Sequence, residues 1–228
     1  MLPAVESSIA ILSPHLDDAV LSCWHQLAGP GKVAVINVFA GIPPAGAPVG
    51  WWDRLSGAED ARAVVEARRA EDRAALALAG REPINLDFLD RQYRPDAHPP
   101  PALADALREH LLDGALVLAP AAIAPMPDDV VDEPGEPHPD HVAVREAALA
   151  LREDGSAVQL YADLPHASAG GWLAVPAGAE VHDLAGGAFT AKLRAVRRYA
   201  TQIAVLEHAF GGRLDDSALL GREARWTP

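Results

Sequence analysis

Short apolar runs of four to eight residues recur along this chain, and segments with a helical pattern lie between them. The runs are Ile9–Leu12, Lys32–Phe39, Ile84–Leu89, Leu116–Pro120 and Val158–Tyr161. Runs of this length without polar alternation are typical of strands buried on both faces. Strands that alternate with helices form a doubly wound, mostly parallel sheet. The sequence therefore predicts an α/β fold, and its length favours a single domain over residues 1–228.

The predicted helices lie between these strands. They cover Asp17–Leu27, Ala58–Ala79, Pro101–Leu112, Val142–Leu151 and Thr190–Phe210, and Gly80 suits a helix C-cap. A further strand is expected around Val181, whereas the sequence from Arg213 onward gives no clear signal.

Two polar clusters follow two of the predicted strands. Ser13–Asp18 follows the first strand, and His138–His141 comes after the fourth. If the strand order is 3-2-1-4-5, the first and fourth strands are neighbours at the point where the order reverses. Ligands of open α/β sheets bind at that point, beyond the carboxyl ends of the strands. The two clusters are then expected to meet in one crevice.

The first cluster combines a histidine with two carboxylates. His15 and Asp18 are three residues apart, so both can point at one atom if the turn is helix-like. Asp17 lies between them and must point elsewhere, where it is free to handle a proton. The competing interpretation is a simple helix cap, since aspartate suits the N-cap position.

The second cluster supplies further metal-ligating side chains. Catalytic zinc takes three protein ligands and leaves a position open for water, whose pKa falls to about 7. His15, Asp18 and one histidine of this cluster satisfy that count, and spacing alone makes His138 and His141 equally good. The remaining histidine can stabilise an oxyanion, and Asp140 can orient a histidine ring. The competing interpretation is a surface turn.

Charge and cysteine content restrict the partners. The net charge of −13 argues against nucleic acid and anionic membranes as partners. Cys23 is the one cysteine, so no internal disulfide can form, and a cytoplasmic location is expected. The first residues lack the pattern of a secretory signal, and no apolar run is long enough to span a bilayer. No glycine-rich nucleotide fingerprint follows any strand.

Several other side chains have open roles. Trp51 and Trp52 follow the second strand and either stack on a sugar or anchor their loop. Arg68 and Glu71 are three residues apart, which favours a surface ion pair over a substrate contact. His166 follows a strand end and can reach the same crevice.

At the two clusters, the chain resembles the LmbE/PIG-L-like deacetylases. The matching segments are Ser13-Pro14-His15-Leu16-Asp17-Asp18 and His138-Pro139-Asp140-His141, with support from Arg68-Arg69-Ala70-Glu71, Tyr161–Pro165 and Lys192–Gln202. The resemblance implies a Rossmann-like fold and one Zn²⁺ per chain. It also implies removal of an N-acyl group from an amino sugar or glycoconjugate.

The resemblance also implies residue roles. It assigns His15, Asp18 and His141 as zinc ligands, Asp17 as the general base, His138 as the oxyanion stabiliser and Asp140 as the orienting group. This chain has Leu16 and Ala19 where the common family form has proline and glutamate, and neither position is a ligand. The Leu16 variant is familiar among members that act in specialised biosynthesis.

Three alternatives remain at the level of sequence. The first is hydrolysis of another amide, such as a thiol-sugar conjugate or a non-sugar N-acyl metabolite. The second is a metal- or sugar-binding module without catalysis, which the presence of Asp17 disfavours. The third is a cofactor-binding Rossmann protein, which the missing glycine fingerprint disfavours. The oligomeric state does not follow from the sequence.

Overall fold

The computed structural model describes residues 8–94, 103–123, 136–168 and 175–228. Its strands are β1 Ser8–Ser13, β2 Lys32–Asn37, β3 Pro83–Asn85, β4 Leu116–Pro120, β5 Val158–Tyr161, β6 Glu180–Asp183 and β7 Arg222–Trp226. Its α-helices are α1 Asp18–Ser22, α2 Trp24–Leu27, α3 Trp51–Leu55, α4 Ala61–Leu76, α5 Leu103–Arg108, α6 Pro139–Glu153, α7 Gly186–Val196, α8 Ile203–Ala209 and α9 Ser217–Leu220. Short 3₁₀ helices cover Ala77–Ala79 and Arg91–Tyr93.

The strands form one sheet in the order β3-β2-β1-β4-β5-β7-β6. The pairs from β3 to β5 are all parallel, and β7 runs antiparallel to both β5 and β6. Ala10, Ile11 and Leu12 in β1 are fully buried, as expected for a parallel strand covered on both faces. The predicted mostly parallel α/β fold and the predicted neighbourhood of β1 and β4 are confirmed.

The helix predicted over Asp17–Leu27 is wrong as one element, because the chain breaks at Cys23 into α1 and α2. The backbone N–H groups of Trp24 and His25 donate to the two carboxylate oxygens of Glu223, at 2.8 and 2.9 Å. A carboxylate from the last strand therefore caps a new helix in the middle of the periodic segment.

The helix predicted over Thr190–Phe210 is also wrong as one element. The chain bends between α7 and α8, where Thr201 donates through its backbone N–H and its hydroxyl to the Glu71 carboxylate. Tyr199 donates its hydroxyl to Asp72 in the same bend. Glu71 is thus occupied by the bend and does not pair with Arg68, so the predicted surface ion pair is wrong.

The other predicted helices and strands are present, but the first or last residues of most of them differ from the predicted ones. Gly80 has a φ of 69° and ends the long helix as predicted, while β3 is shorter than the apolar run that predicted it. Of the helix predicted over Pro101–Leu112, residues 101 and 102 lie outside the described ranges, and the helix present there, α5, ends at Arg108, before the predicted end. Within those ranges, no helix has both the length and the apolar character needed to cross a bilayer.

A buried ion pair holds the last strand against the helices. Lys192 is fully buried, and its Nζ donates to Glu223 at 2.7 Å and to the Leu220 carbonyl at 2.8 Å. Lys192→Met is expected to lower the free energy of unfolding by about 3–5 kcal/mol, because it leaves the Glu223 carboxylate buried without its cation.

Urea denaturation measures this loss, and Lys32→Met at an exposed position is the control. The control is expected to stay within about 0.5 kcal/mol of the parent. Equal stability of the two variants would contradict the role given to the buried pair.

Candidate active site

The two polar clusters meet beyond the carboxyl ends of β1 and β4. Residues 14–18 follow β1 directly, and His138 precedes the first residue of α6. Pro139 occupies the first turn of that helix, where its missing N–H costs nothing. The ring centres of His15 and His141 are 5.3 Å apart, although the residues are far apart in sequence. The predicted crevice is therefore present.

Three side chains converge on one point. His15 Nδ1 and His141 Nε2 each lie 3.4 Å from the same oxygen of Asp18. Two ligands at 2.0–2.1 Å from a tetrahedral zinc ion are about 3.3–3.4 Å apart, so this spacing suits that ion. The potential ligand atoms of these three residues all lie within 4.8 Å of one another. Nitrogen and carboxylate donors are the set that zinc accepts.

A second group, His15, His138 and Asp140, satisfies the same distance limit. Its carboxylate, however, is already engaged. Asp140 is fully buried and accepts hydrogen bonds from the Arg91 backbone N–H and the Arg94 guanidinium, and it lies 3.2 Å from His15 Nε2. Burial raises its pKa, but His15, His138 and Arg94 together hold that pKa well below its usual range. Asp140 therefore suits the orientation of His15 Nε2 better than it suits a metal ion.

Asp17 is buried, with 6% of its surface exposed, and its carboxylate makes no capping hydrogen bond. Ser13 takes the local capping role instead, because its hydroxyl accepts from the Ala19 N–H and donates to the His15 carbonyl. Burial and the adjacent Asp18 carboxylate raise the pKa of Asp17 to about 7. A carboxyl group with such a pKa can both accept and return a proton near neutral pH.

His138 is held as a neutral hydrogen-bond donor. Its Nδ1 accepts the backbone N–H of Asp140 at 3.1 Å, which leaves the ring proton on Nε2. Burial, with the nearby His15 and His141, lowers the pKa of His138 well below its ordinary value. The His138 and His15 ring centres are 4.8 Å apart, so this donor lies beside the candidate metal ligands.

Asp163 is a site residue that the sequence analysis did not identify. Its Oδ1 lies 2.8 Å from His141 Nδ1, and its Oδ2 accepts the backbone N–H of Ala122 at 2.7 Å. The contact places the His141 proton on Nδ1 and leaves Nε2 free to face Asp18, an arrangement common in zinc proteins. Its position could have identified it, because it lies two residues after the end of β5, and β5 is the neighbour of β4 in the sheet.

A cavity of about 920 Å³, including its mouth, opens above the cluster. Trp51, Trp52, Arg68 and His166 all line it, together with Asp90, Arg91 and Gln92, which the sequence analysis missed. Arg68 is 5% exposed and pairs with the fully buried Asp53 carboxylate, which also accepts the Tyr93 hydroxyl. Arg68 is therefore a buried residue of the cavity wall.

His166 lies beside the candidate ligands. Its ring centre is 5.2 Å from that of His141 and 4.7 Å from that of Phe210, and both contacts are edge-on. Burial, with the nearby His141, lowers the pKa of His166 to about 3, so the ring is neutral. The side chain is thus a neutral polar group at the edge of an aromatic contact.

The chain matches the PIG-L family model, described as GlcNAc-PI de-N-acetylase, over residues 10–151. No curated protein matches it in sequence.

Among solved structures, the chain is similar to a triple mutant of a deacetylase of the teicoplanin biosynthetic pathway. The identity is 32%, 96% of this chain and 97% of that chain are covered, and the TM-score is 0.75. It is similar to the A40926 pseudoaglycone deacetylase at 32% identity, with 97% and 96% covered and a TM-score of 0.72. It is also similar to a zinc-inhibited form of teicoplanin deacetylase at 29% identity, with 96% and 97% covered and a TM-score of 0.74.

Proposed function

Because the chain belongs to the PIG-L family of GlcNAc-PI de-N-acetylases, we propose that it is a zinc-dependent hydrolase that removes an N-acyl group from an amino sugar within a glycoconjugate. The resemblance found in the sequence is confirmed by this membership. Deacetylases of antibiotic biosynthesis are similar over nearly their whole length, which supports a substrate from specialised metabolism.

The observation that carries the proposal is the meeting of His15 and His141 at one oxygen of Asp18. Next to them lies Asp17, which is buried and makes no capping hydrogen bond. A metal-binding module without catalysis has no need for a second carboxylate that is kept buried beside the ligands. The proposed ligands are His15, Asp18 and His141. When bound, zinc supplies a Lewis acid that polarises the scissile carbonyl and lowers the pKa of water to about 7.

Protein side chains supply the proton transfer, the stabilisation of the oxyanion and the orientation of the ligands. Asp17 takes a proton from the attacking water and delivers it to the nitrogen of the leaving amine. His138 donates its Nε2–H to the oxyanion that forms at the carbonyl. Asp140 holds the ring of His15, and Asp163 holds the ring of His141, so that both keep their orientation.

Amine release tests the proposal. The purified protein is expected to contain about one zinc per chain and to release amine from N-acylated amino sugars or their glycopeptides. It is expected to leave N-acyl amino acids intact. A chelator should abolish the release, and added zinc should restore it. Full activity of the zinc-depleted protein, or release from acyl amino acids alone, would contradict the proposal.

A further inference from the structure

Helix α3 places Trp51 and Trp52 on the cavity wall, but little within the helix itself fixes its position. It is five residues long, and Gly50 before it supplies no side-chain cap. An isolated helix this short is not stable in water, so contacts with other segments must hold it. Of its five residues, all of which the structure describes, only Asp53 is buried, and it is an acid rather than an apolar residue. The position of α3 therefore depends on what the Asp53 side chain contacts.

The Asp53 carboxylate contacts two other segments. It forms an ion pair with the Arg68 guanidinium of α4 and accepts the hydroxyl of Tyr93, which follows β3. Arg68 is 5% exposed, so loss of the carboxylate would leave a buried cation without a partner. Burial and the Asp53 carboxylate raise the pKa of the Tyr93 hydroxyl, so that the hydroxyl remains a donor. Asp53 thus joins α3 both to α4 and to the segment after β3.

Gln92 adds a second connection between α3 and the segment after β3. Its side-chain oxygen accepts the backbone N–H of Asp53 at 3.3 Å, and its side-chain nitrogen donates to Asp90 at 3.0 Å. A Cβ atom on Gly50 would collide with the same Gln92 oxygen, so glycine is needed there for this side chain to approach the start of α3. The helix and the segment after β3 are therefore held together on both sides of Asp53.

Neither Asp53 nor Tyr93 is among the described residues that line the cavity. The residues that they hold do line it, namely Trp51, Trp52, Arg68, Asp90 and Gln92. Indole rings next to polar side chains suit a sugar, which has apolar faces and hydroxyl groups at its edges. An effect of Asp53 on a bound sugar must therefore pass through the residues that it positions.

We propose that Asp53 is a positioning residue, which holds α3 and the segment after β3 against Arg68 before an amino sugar binds. The inference rests on the proposed function for the identity of this substrate. A wall that is already ordered binds more tightly, because no interaction energy is lost in ordering it. Where only a fraction of the molecules has the competent arrangement, the apparent affinity falls by that fraction.

Asp53→Asn tests the inference, because asparagine keeps the shape of the side chain and removes its charge. With N-acetylglucosamine as substrate, KM is expected to rise by about tenfold or more, as the competent arrangement falls to a tenth of the molecules or fewer. The kcat is expected to stay within about threefold, since the lost binding affects substrate and transition state alike. Zinc content should be unchanged. Asp87→Asn is the matched control, because Asp87 is 92% exposed and pairs with Arg69, the neighbour of Arg68 on α4. It should leave KM unchanged.

Tyr93→Phe tests the same contact with a smaller change. It keeps the ring and the ion pair of Asp53 with Arg68, and it removes one hydrogen bond to the carboxylate. KM is expected to rise by about 2–10-fold. In the double variant with Asp53→Asn, the two increases should not multiply, because both changes act on one contact. Tyr93→Phe alone decides the question if Asp53→Asn does not fold.

Tryptophan fluorescence of the free protein separates this inference from the proposed function. Quenching by acrylamide reports the exposure of Trp51 and Trp52 and needs neither zinc nor substrate. Quenching is expected to increase in Asp53→Asn but not in Asp87→Asn. The increase should disappear when both tryptophans are replaced by phenylalanine, which assigns it to α3.

The outcomes differ for the two proposals. Increased quenching without any release of amine would support the role of Asp53 and contradict the proposed function alone. Unchanged quenching in both Asp53→Asn and Tyr93→Phe would overturn the role of Asp53. A loss of kcat at unchanged KM, or an equal rise of KM in Asp87→Asn, would overturn it as well.

Discussion

Replacement of Asp17 by asparagine is expected to keep the metal and to reduce turnover of an N-acyl amino sugar by about 10²–10⁴-fold. Asparagine preserves the shape of the side chain but cannot accept the proton of the attacking water. The carboxylate it replaces is buried, makes no capping contact and has its pKa raised to about 7. Steady-state kinetics and metal analysis of the same preparation check both halves of the prediction.

The pH profile gives an independent check on the same residue. A base must be ionised to act, so kcat/KM of the parent should rise with pH through the pKa of Asp17. That pKa is expected to lie below about 7 once a cation is bound, because positive charge favours the ionised form. The residual activity of Asp17→Asn should lack this acidic limb. Asp90→Asn, at a half-buried acid of the cavity wall, should retain it. Turnover undiminished in Asp17→Asn would remove the residue from the mechanism.

His141→Ala is expected to weaken zinc binding by more than about 100-fold. Loss of a residue that only orients a ligand weakens metal binding by about 10–100-fold, so a larger loss indicates a ligand. His141 presents Nε2 to the shared Asp18 oxygen, and its other nitrogen is held by Asp163. His138→Ala is expected to retain zinc and to lose about 10²–10³-fold in kcat, as loss of an oxyanion donor does. Zinc affinity by competition with a chromophoric chelator separates the two variants.

The two histidines form a matched pair, because both belong to the same four-residue segment and both adjoin His15. Circular dichroism of each variant confirms that its fold is unchanged. If His138→Ala lost zinc and His141→Ala kept it, the ligands would be His15, His138 and Asp140, which satisfy the same distance limit. The roles assigned to His138 and His141 would then be exchanged.

The strands of the parallel sheet and their order could be predicted from local sequence. The apolar runs around β1 and β4 identified buried parallel strands, because such strands need no polar alternation. Their adjacency at the reversal of strand order then predicted that the clusters Ser13–Asp18 and His138–His141 would meet. Spacing alone left His138 and His141 equivalent, since both precede or enter the same helical turn. The orientation of each ring depends on its partners, Asp140 N–H for one and Asp163 for the other.

The two helices predicted as single elements and the predicted Arg68–Glu71 ion pair were wrong for one physical reason. In each case a carboxylate from a distant segment makes the decisive contact. Glu223 breaks the helix predicted after the first cluster, and Glu71 holds the bend in the helix predicted near the end. Arg68 was predicted to lie at the surface, because it is three residues from Glu71 in a long helix rich in alanine, glutamate and arginine. Its partner is Asp53 from another helix, a contact that periodicity within α4 cannot reveal.

The placement of β7 between β5 and β6 has a consequence for synthesis on the ribosome. In the described sheet, β6 pairs with β7 alone, and β7 also bridges β6 to β5. The strand that joins them is the last of the described strands along the chain, and it carries the Glu223 that caps α2. The amino-terminal half can dock its parallel strands as it emerges, but the helix beside the reactive centre obtains its anchor only after residue 223 has left the exit tunnel. During synthesis, the helix that follows the first polar cluster therefore gains its cap only after β7 has emerged from the ribosome.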